Sequence, residues 1–177
     1  SMGYRIFAGI KKKLMGFCFS RSIVVPVAIC DTVKKSLEEA YGLPEKKIEC
    51  VYNGVDTDRF NKKSIKEDSV FTFVCVGTLY HIKNHAMLIE SFKYVKDKIN
   101  STKLVLVGDG ELRKELELQV DRLELTDNVV FAGNQSDVVA FLSNADVYCC
   151  ASKIEGLPIS VLEAMACSLP VITTPAG

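Results

Sequence analysis

Hydrophobic positions along the chain alternate between two spacings. Short apolar runs followed by turn residues predict β-strands at 23–30, 48–51, 70–76, 103–107, 128–131, 146–151 and 170–174. Between these runs, apolar residues recur at helical spacing and predict helices at 32–41, about 89–99, 112–123 and 136–143, and a further helix has Glu163 in its expected first turn. Strands that alternate with helices build right-handed βαβ units and a parallel sheet. The pattern therefore predicts an α/β, Rossmann-like, doubly wound sheet with helices on both faces.

The turns that follow the predicted strands carry the candidate binding residues. Gly77, Gly108, Gly133 and Glu155 each stand just after such a strand. In parallel α/β sheets, ligands bind at the carboxyl ends of the strands. Their placement predicts one shared site.

The segment from Ser152 to Pro170 is the most informative part of the sequence. Glu155 precedes a Gly-Leu-Pro turn, and Glu163 follows eight residues later, in what should be the first turn of a helix. Free N–H groups at a helix N-terminus favour an anionic phosphate. Two carboxylates would repel phosphate at short range, but they accept hydrogen bonds and suit sugar hydroxyls. The local chemistry predicts a ligand that is part phosphate and part carbohydrate.

A purely structural role for these residues stays open at this point. Ser160 and Glu163 have the spacing of a capping box, in which both side chains satisfy N–H groups at a helix start. Glu155 could be a solvated loop residue.

Three weaker patterns also concern the turns. Gly108-Asp-Gly-Glu-Leu-Arg113 looks like a dinucleotide-binding fingerprint, but arginine replaces the third glycine, so a tight strand-to-helix turn is favoured. His81 and His85 have a metal-compatible spacing, but a closed metal site needs more ligands than two. Lys83 is predicted at a helix start, where a cation is unfavourable unless an anion is present. The alternative for Lys83 is a solvated surface lysine.

Composition excludes some classes of function. The length of 177 residues, with 48% hydrophobic and 25% charged side chains, fits one globular domain, with or without a fragment of another. The 22 basic and 22 acidic side chains cancel, so no global field attracts nucleic acid or an anionic membrane. Seven cysteines without framework spacing indicate a reduced, cytoplasmic setting. No apolar run is long enough for a membrane span.

Five motifs follow one another along the chain: Tyr52-Asn-Gly-Val-Asp56, Val76-Gly-Thr-Leu-Tyr-His-Ile-Lys-Asn84, Leu106-Val-Gly-Asp-Gly110, Val130-Phe-Ala-Gly133, and Glu155-Gly-Leu-Pro with Leu162-Glu-Ala-Met-Ala166. In this order they resemble retaining group 1 (family four) glycosyltransferases, which are two-domain enzymes of the GT-B fold. The resemblance spans about residues 20–177. It implies that 48–177 are a nucleotide-sugar-binding donor domain truncated at its C-terminus. Residues 1–47 are then the end of the acceptor-side N-terminal domain and a linker.

The resemblance also implies roles for individual residues. Glu155 addresses the hydroxyls of the transferred sugar, Glu163 accepts hydrogen bonds from the ribose, and Lys83 neutralises charge on the departing nucleoside diphosphate, so Lys83 and Glu155 are the expected catalytic residues. Thr78 stands where the family usually has arginine, which predicts a weaker phosphate clamp. The complete set of expected donor-binding residues is Gly77, Thr78, Lys83, Gly108, Gly133, Glu155, Gly156, Leu157, Pro158, Ile159, Ser160 and Glu163.

The function implied by the resemblance is transfer of a sugar from a nucleoside-diphosphate sugar with retention, in polysaccharide or glycoconjugate biosynthesis. No metal or cofactor is expected. The acceptor is a carbohydrate or lipid-linked molecule bound by the absent domain, and the parent enzyme is cytoplasmic, with peripheral association at the membrane face open. The fragment alone is expected to be inactive.

Two other functions stay open. A non-catalytic nucleotide- or sugar-binding module of the same fold is favoured by Thr78 and the absent domain for this fragment, although not for its parent. A sugar-nucleotide epimerase on a GT-B-like frame is disfavoured by the Glu155–Glu163 spacing.

The N-terminal part carries one further expectation. The apolar segment 23–30 resembles an edge element of the absent domain's sheet, and unpaired strand backbone is a template for pairing with another chain. We expect residues 1–30 to be poorly ordered or packed against a second copy, which would create a dimer.

Overall fold

The structure is a computed structural model that describes residues 2–61 and 69–176, with side chains from Ile10 onward. Contacts divide the chain into two compact units, one through Asn53 and one covering Gly54–Ala176. This division lies after Asn53 rather than after residue 47, because the strand at Glu49–Cys50 pairs within the first unit. The assignment of the two parts to an acceptor-side and a donor-side domain stays a prediction.

The first unit is formed by two helices and a short pair of strands. Its elements are α1 (Met2–Ser20), β1 (Val27–Ala28), α2 (Asp31–Tyr41), a 3-10 turn (Glu45–Lys47) and β2 (Glu49–Cys50). The two strands are parallel. A small core of Phe19, Ala28, Leu43 and Ile48 holds the unit together. Helix α2 ends as predicted at Gly42, which has a left-handed φ of 63°.

The N-terminal segment differs from its expectation. Residues Met2–Ser20 form a helix, and Val27–Ala28 has a strand partner within the chain. The helical spacing of Ile10, Leu14 and Phe17, all exposed, is the sequence signal for α1. The expected dimer stays a prediction.

The second unit is built around a five-stranded parallel sheet. In chain order its elements are β3 (Phe71–Val76), α3 (His85–Lys96), β4 (Thr102–Val107), α4 (Arg113–Arg122), β5 (Val129–Gly133), α5 (Val139–Ser143), β6 (Val147–Cys150), α6 (Ile159–Ala166) and β7 (Val171–Thr173). The strand order is β5-β4-β3-β6-β7. The chain thus builds outward from β3 in one direction and then continues from β6 in the other. This is the doubly wound arrangement that the sequence predicts.

Helices cover both faces of this sheet. Val74, Val105 and Tyr148 pack with buried residues of α5 and α6, whereas the alternate strand residues Cys75 and Leu104 pack with those of α3 and α4. Strands buried on both faces read as continuous apolar runs. The predicted α/β class is therefore confirmed. None of the described helices is both long and apolar enough to cross a membrane.

Candidate active site

The candidate site lies where β3 and β6 run side by side. At such a switch point the following connections leave in opposite directions and open a crevice at the carboxyl ends of the strands. The loop after β3 contains a 3-10 turn at His81–Lys83, and the loop after β6 leads into α6. The N–H of Lys153 donates to the carbonyl of Ile82 at 2.8 Å and ties the two loops together.

Lys83 and Glu155 contact each other across these loops. The Lys83 ammonium donates to Glu155 Oε1 at 2.6 Å, and Ser152 Oγ donates to the same oxygen at 2.6 Å. Only 27% of the lysine side chain and 15% of the glutamate side chain are exposed. Lys83 is therefore not a solvated surface lysine, and Glu155 is not a solvated loop residue. Oε2 of Glu155 makes no hydrogen bond to any residue that the structure describes.

The stem of Lys83 passes close to Gly77. A Cβ added at Gly77 would lie 3.8 Å from both Cδ and Cε of Lys83, which is ordinary van der Waals contact. The lysine stem thus crosses the end of β3 before its ammonium reaches Glu155. Thr78, the next residue, is exposed.

The glycines after β4 and β5 allow the strand ends to approach one another. Gly108 has a φ of 138°, and a Cβ there would lie 2.1 Å from the carbonyl oxygen of Gly77. Its N–H donates to the carbonyl of Gly133 at 2.8 Å. This geometry supports the tight-turn interpretation of the Gly108 motif, and donor contact by Gly108 or Gly133 stays a prediction.

The start of α6 differs from its expectation. The helix begins at Ile159 with Pro158 as N-cap and without a side-chain capping bond. Ser160 is therefore inside the helix and Glu163 lies in its second turn, so the two side chains do not form the capping box that their spacing allowed. The Ser160 hydroxyl instead accepts a hydrogen bond from buried Tyr148 at 2.7 Å. Burial raises the pKa of Tyr148, which keeps this phenol protonated.

The backbone of the same turn still offers hydrogen-bond donors. Pro158 has no N–H, whereas the N–H groups of Ile159 and Ser160 donate to no described residue. Two unsatisfied N–H groups at a helix start can bind an anion. Phosphate binding by the start of α6 stays a prediction, and Pro158 cannot donate an N–H to it.

Glu163 lies in a separate environment from Glu155. It is half-buried, and burial raises the pKa of its carboxyl group, while Arg59 opposes this effect. Arg59 itself pairs with Asp137 at 3.0 Å. Glu163 is not part of the cavity that Glu155 lines.

A small cavity with polar and apolar walls lies beneath the Lys83–Glu155 pair. Its volume is about 10 Å³, and its polar walls come from Lys83, His85, Tyr148, Ser152, Glu155 and Ser160. Among the expected site residues, the cavity brings together Gly77, Lys83, Glu155 and Ser160. It does not include Thr78, Gly108, Gly133, Gly156, Leu157, Pro158, Ile159 or Glu163.

His85 and Ser152 line the cavity but were not predicted as site residues, and Arg113 lies near Gly133. His85 is 1% exposed, and burial together with Lys83 lowers its pKa to about 4. Arg113 stacks over the Phe131 ring at 5.0 Å and pairs with Glu117 at 2.5 Å beside the Gly133 turn. Closeness in the sequence could have pointed to two of these residues, since His85 is two residues after Lys83 and Ser152 is three residues before Glu155.

The possible metal ligands among the described residues do not come together in one site. His81 is exposed whereas His85 is buried, so the two imidazoles occupy different environments. The sequence also contains one Asp-x-Asp tripeptide, Asp56-Thr57-Asp58, in which Asp56 Oδ1 accepts the N–H groups of Asp58 and Arg59 at 3.1 Å. Within 2–61 and 69–176, no three His, Cys, Asp or Glu side chains are grouped where they could hold a metal ion.

Comparison with known proteins shows which family this chain resembles. Residues 56–177 match the family described as Glycosyl transferases group 1. An uncharacterized glycosyltransferase of Methanocaldococcus jannaschii is 34% identical over 80% of this chain and 37% of its own length. An Escherichia coli UDP-Gal:α-D-GlcNAc-diphosphoundecaprenol α-1,3-galactosyltransferase is 34% identical over 78% of this chain and 39% of its own length.

The fold has counterparts among solved structures. Anabaena HepE in complex with UDP and glucose superposes with a TM-score of 0.77 at 23% identity, over 85% of this chain and 44% of that one. At this identity the likeness concerns the fold, which is the GT-B fold. The chain spans less than half the length of the relatives it matches. Its five motifs and the match over residues 56–177 agree, and the chain belongs to the group 1 glycosyl transferases.

Proposed function

We propose that this chain is the donor-binding part of an enzyme that transfers a sugar from a nucleoside-diphosphate sugar with retention. The observation that carries the proposal is the 2.6 Å contact between Lys83 and Glu155 at the β3–β6 switch point. A cation and a carboxylate side by side support the proposal, because the junction of such a donor presents a diphosphate anion next to sugar hydroxyls.

Lys83 and the start of α6 would stabilise the leaving group. Negative charge grows on the diphosphate as its bond to the sugar breaks, and fixed donors stabilise that charge in the transition state. One cation about 4 Å away offers about 4 kcal/mol at an effective dielectric constant of about 20. An ammonium has three N–H donors, so Lys83 can keep Glu155 and still bind a phosphate oxygen. The N–H groups of Ile159 and Ser160 would add to this stabilisation.

Glu155 would orient the sugar. Its Oε1 is held by Lys83 and Ser152, which leaves Oε2 to accept hydrogen bonds from sugar hydroxyls. In the proposed reaction, the acceptor oxygen bonds to the anomeric carbon on the face from which the diphosphate departs. The acceptor proton passes to the departing phosphate. Glu163, about one turn after Ser160 on α6, would accept hydrogen bonds from the ribose.

The relatives support a particular class of donor and acceptor. The Escherichia coli relative is a UDP-Gal transferase that acts on a diphosphoundecaprenol-linked sugar. HepE was solved in complex with UDP and glucose. We therefore propose a UDP-sugar donor and a carbohydrate or lipid-linked acceptor in polysaccharide or glycoconjugate synthesis. The proposed reaction is metal-independent and cytoplasmic. The acceptor is bound by residues outside this chain, so the chain alone binds donor and transfers nothing.

A non-catalytic binding module is the second candidate. Thr78 favours it, because an exposed hydroxyl cannot supply the charge of the arginine that the family usually has at this position. The two candidates share donor binding and differ in whether the complete protein transfers sugar.

Saturation-transfer NMR with UDP, GDP and ADP and their glucose conjugates tests the shared part of the proposal. We expect saturation of the ribose and sugar protons of one nucleotide sugar, and loss of the signal in Lys83→Ala. If no nucleotide or nucleotide sugar gives a signal at millimolar concentration, donor binding is wrong.

A further inference from the structure

We propose that the small cavity beneath the Lys83–Glu155 pair binds one hydroxyl group of the transferred sugar, with His85 Nδ1 as a hydrogen-bonding partner. The inference rests on the proposed donor site and adds a specificity-determining residue to it. His85 is not one of the donor-binding residues that the five motifs imply.

The first observation is an unsatisfied polar atom. His85 is the first residue of α3 and only 1% of it is exposed. Its Nδ1 is buried and has no hydrogen-bond partner among the described residues. Buried polar groups in proteins are nearly always paired, and His85 is one of the residues that line the cavity. An unpaired nitrogen on such a residue points to a partner supplied by the ligand.

The second observation is the size of the cavity. A volume of about 10 Å³ has room for about one oxygen-sized group. A phosphate group is too large for this space, whereas a single hydroxyl oxygen fits it. Any ligand group that enters is therefore no larger than about one oxygen atom.

The third observation is the chemistry of the walls. At neutral pH His85 is an uncharged imidazole, because burial and the neighbouring Lys83 disfavour its protonated form. A neutral imidazole has one donor nitrogen and one acceptor nitrogen. A hydroxyl group can serve either one, since it both donates and accepts. The hydroxyl of Ser160 and the carboxylate of Glu155 line the same cavity and complete the polar surroundings.

The consequence is discrimination between sugars. A site built to hydrogen-bond a hydroxyl rejects an analogue that lacks it, because the polar groups of the site are then left unpaired. The position and configuration of the hydroxyl that reaches His85 would thus decide which sugar the donor carries.

The chain offers a simple spectroscopic test because it contains two histidines, and His81 is exposed. Imidazole ¹H–¹⁵N spectra of the 177-residue chain are recorded during titration with UDP, UDP-glucose, UDP-galactose and UDP-N-acetylglucosamine. We expect one UDP-sugar to shift the Nδ1 resonance of His85, with UDP alone causing little change and His81 unaffected. An equal shift with UDP alone, or no shift at saturation with a bound UDP-sugar, would overturn the inference and indicate a phosphate contact or a buried water only.

Two matched variants test the same contact by affinity. His85→Phe should weaken binding of that UDP-sugar by up to about 10-fold while changing the affinity for UDP less than about 2-fold. His81→Phe should change neither. One deoxy analogue of the sugar should bind the parent and His85→Phe equally. Equal loss of UDP and UDP-sugar binding would contradict the inference. If His85→Phe does not fold, the imidazole spectra of the parent alone test the contact.

Failure of this inference differs from failure of the proposed function. If the parent binds a UDP-sugar but His85 does not respond, only the role of His85 is wrong. If the parent binds no nucleotide or nucleotide sugar, the donor site itself is wrong.

Discussion

Lys83 and Glu155 are 72 positions apart in the chain, and their charged groups lie 2.6 Å apart in the structure. The pair joins the loops of two neighbouring parallel strands. Its opposite charges match the two halves of a nucleotide sugar, because the ammonium suits the diphosphate and the carboxylate suits the sugar hydroxyls. The ion pair holds the cation and the carboxylate in place, and we propose that it does so for a donor.

Removing the cation should weaken nucleotide binding. We expect Lys83→Ala to lower the affinity for UDP by about 10- to 100-fold, because a charge-assisted hydrogen bond to phosphate is lost. Titration calorimetry or NMR measures this change. Lys93→Ala, which removes a lysine from the exposed pair with Asp97 on α3, is the control and should bind UDP like the parent. An unchanged affinity in Lys83→Ala would show that Lys83 serves only to hold Glu155.

Glu163 can now be tested without a capping role. Since the capping box does not form, Glu163→Gln should leave the helix intact, and its free energy of unfolding should stay the same or rise slightly as a half-buried charge is removed. Nucleotide affinity should fall by about 10-fold if the carboxylate binds the ribose. Glu115→Gln on the exposed face of α4 is the matched control. Equal nucleotide affinity in Glu163→Gln and the parent would rule out the ribose contact.

The Gly108 turn should tolerate no side chain. In Gly108→Ala the new Cβ would meet the Gly77 carbonyl oxygen at 2.1 Å, at a positive φ of 138°. We expect the free energy of unfolding to fall by about 3 kcal/mol or more, from strain and overpacking together. Urea denaturation measures it. In Gly54→Ala the new Cβ meets nothing within 4 Å, so the change there should stay below about 1 kcal/mol. Similar stabilities for the two variants would contradict the close approach.

His85 should make the protein less stable in mild acid. The unfolded imidazole binds a proton below a pH of about 6.5, whereas the pKa of the native side chain is about 4. Between these values only the unfolded state is protonated, so the free energy of unfolding falls as the pH falls, by up to about 3 kcal/mol. Below a pH of about 4 this contribution no longer changes.

The effect of His85 on the pH dependence of stability has to be isolated with a variant, because Glu163 changes stability with pH in the opposite direction. Its raised pKa favours the native state as the pH falls. We therefore compare denaturation curves of the parent and His85→Gln from pH 4 to pH 7, with His81→Gln as control. A parent and a His85→Gln variant with the same pH dependence would mean that His85 protonates normally in the fold.

The buried cysteines should react slowly with alkylating reagents. Burial raises the pKa of Cys149 to about 11 and also raises the pKa of Cys75, so neither forms much thiolate near neutral pH. Cys18 and Cys50 are only half-buried. Iodoacetamide labelling followed by mass spectrometry should modify Cys18 and Cys50 first in the native protein, and all sites alike in urea. Early labelling of Cys75 in the native protein would contradict its burial.

The sequence alone determined the class of the fold and the approximate elements of the second unit. Strands such as β3 and β4 are buried on both faces, so their apolar runs stand out against the helical spacing of α3 and α4. The glycines after the strands marked the edge that carries the site. The order of the five motifs determined the family.

Local patterns were misleading where a tertiary contact competed with them. Ser160 and Glu163 have the spacing of a capping box, but Pro158 occupies the N-cap and the Ser160 hydroxyl binds Tyr148 from β6. Helix α1 was missed, although its exposed apolar residues recur at helical spacing.

Only the tertiary structure decided which residues meet. The order β4-β3-β6 puts the loops of Lys83 and Glu155 side by side, and no local pattern encodes a pairing between strands that distant in the chain. The same packing buries His85, which lines the small cavity, and leaves exposed His81, four residues earlier, outside it. Spacing along the chain treats these two histidines alike. Burial separates them, because the free energy of an ionisable side chain depends on the solvent and charges around it rather than on its position in the sequence.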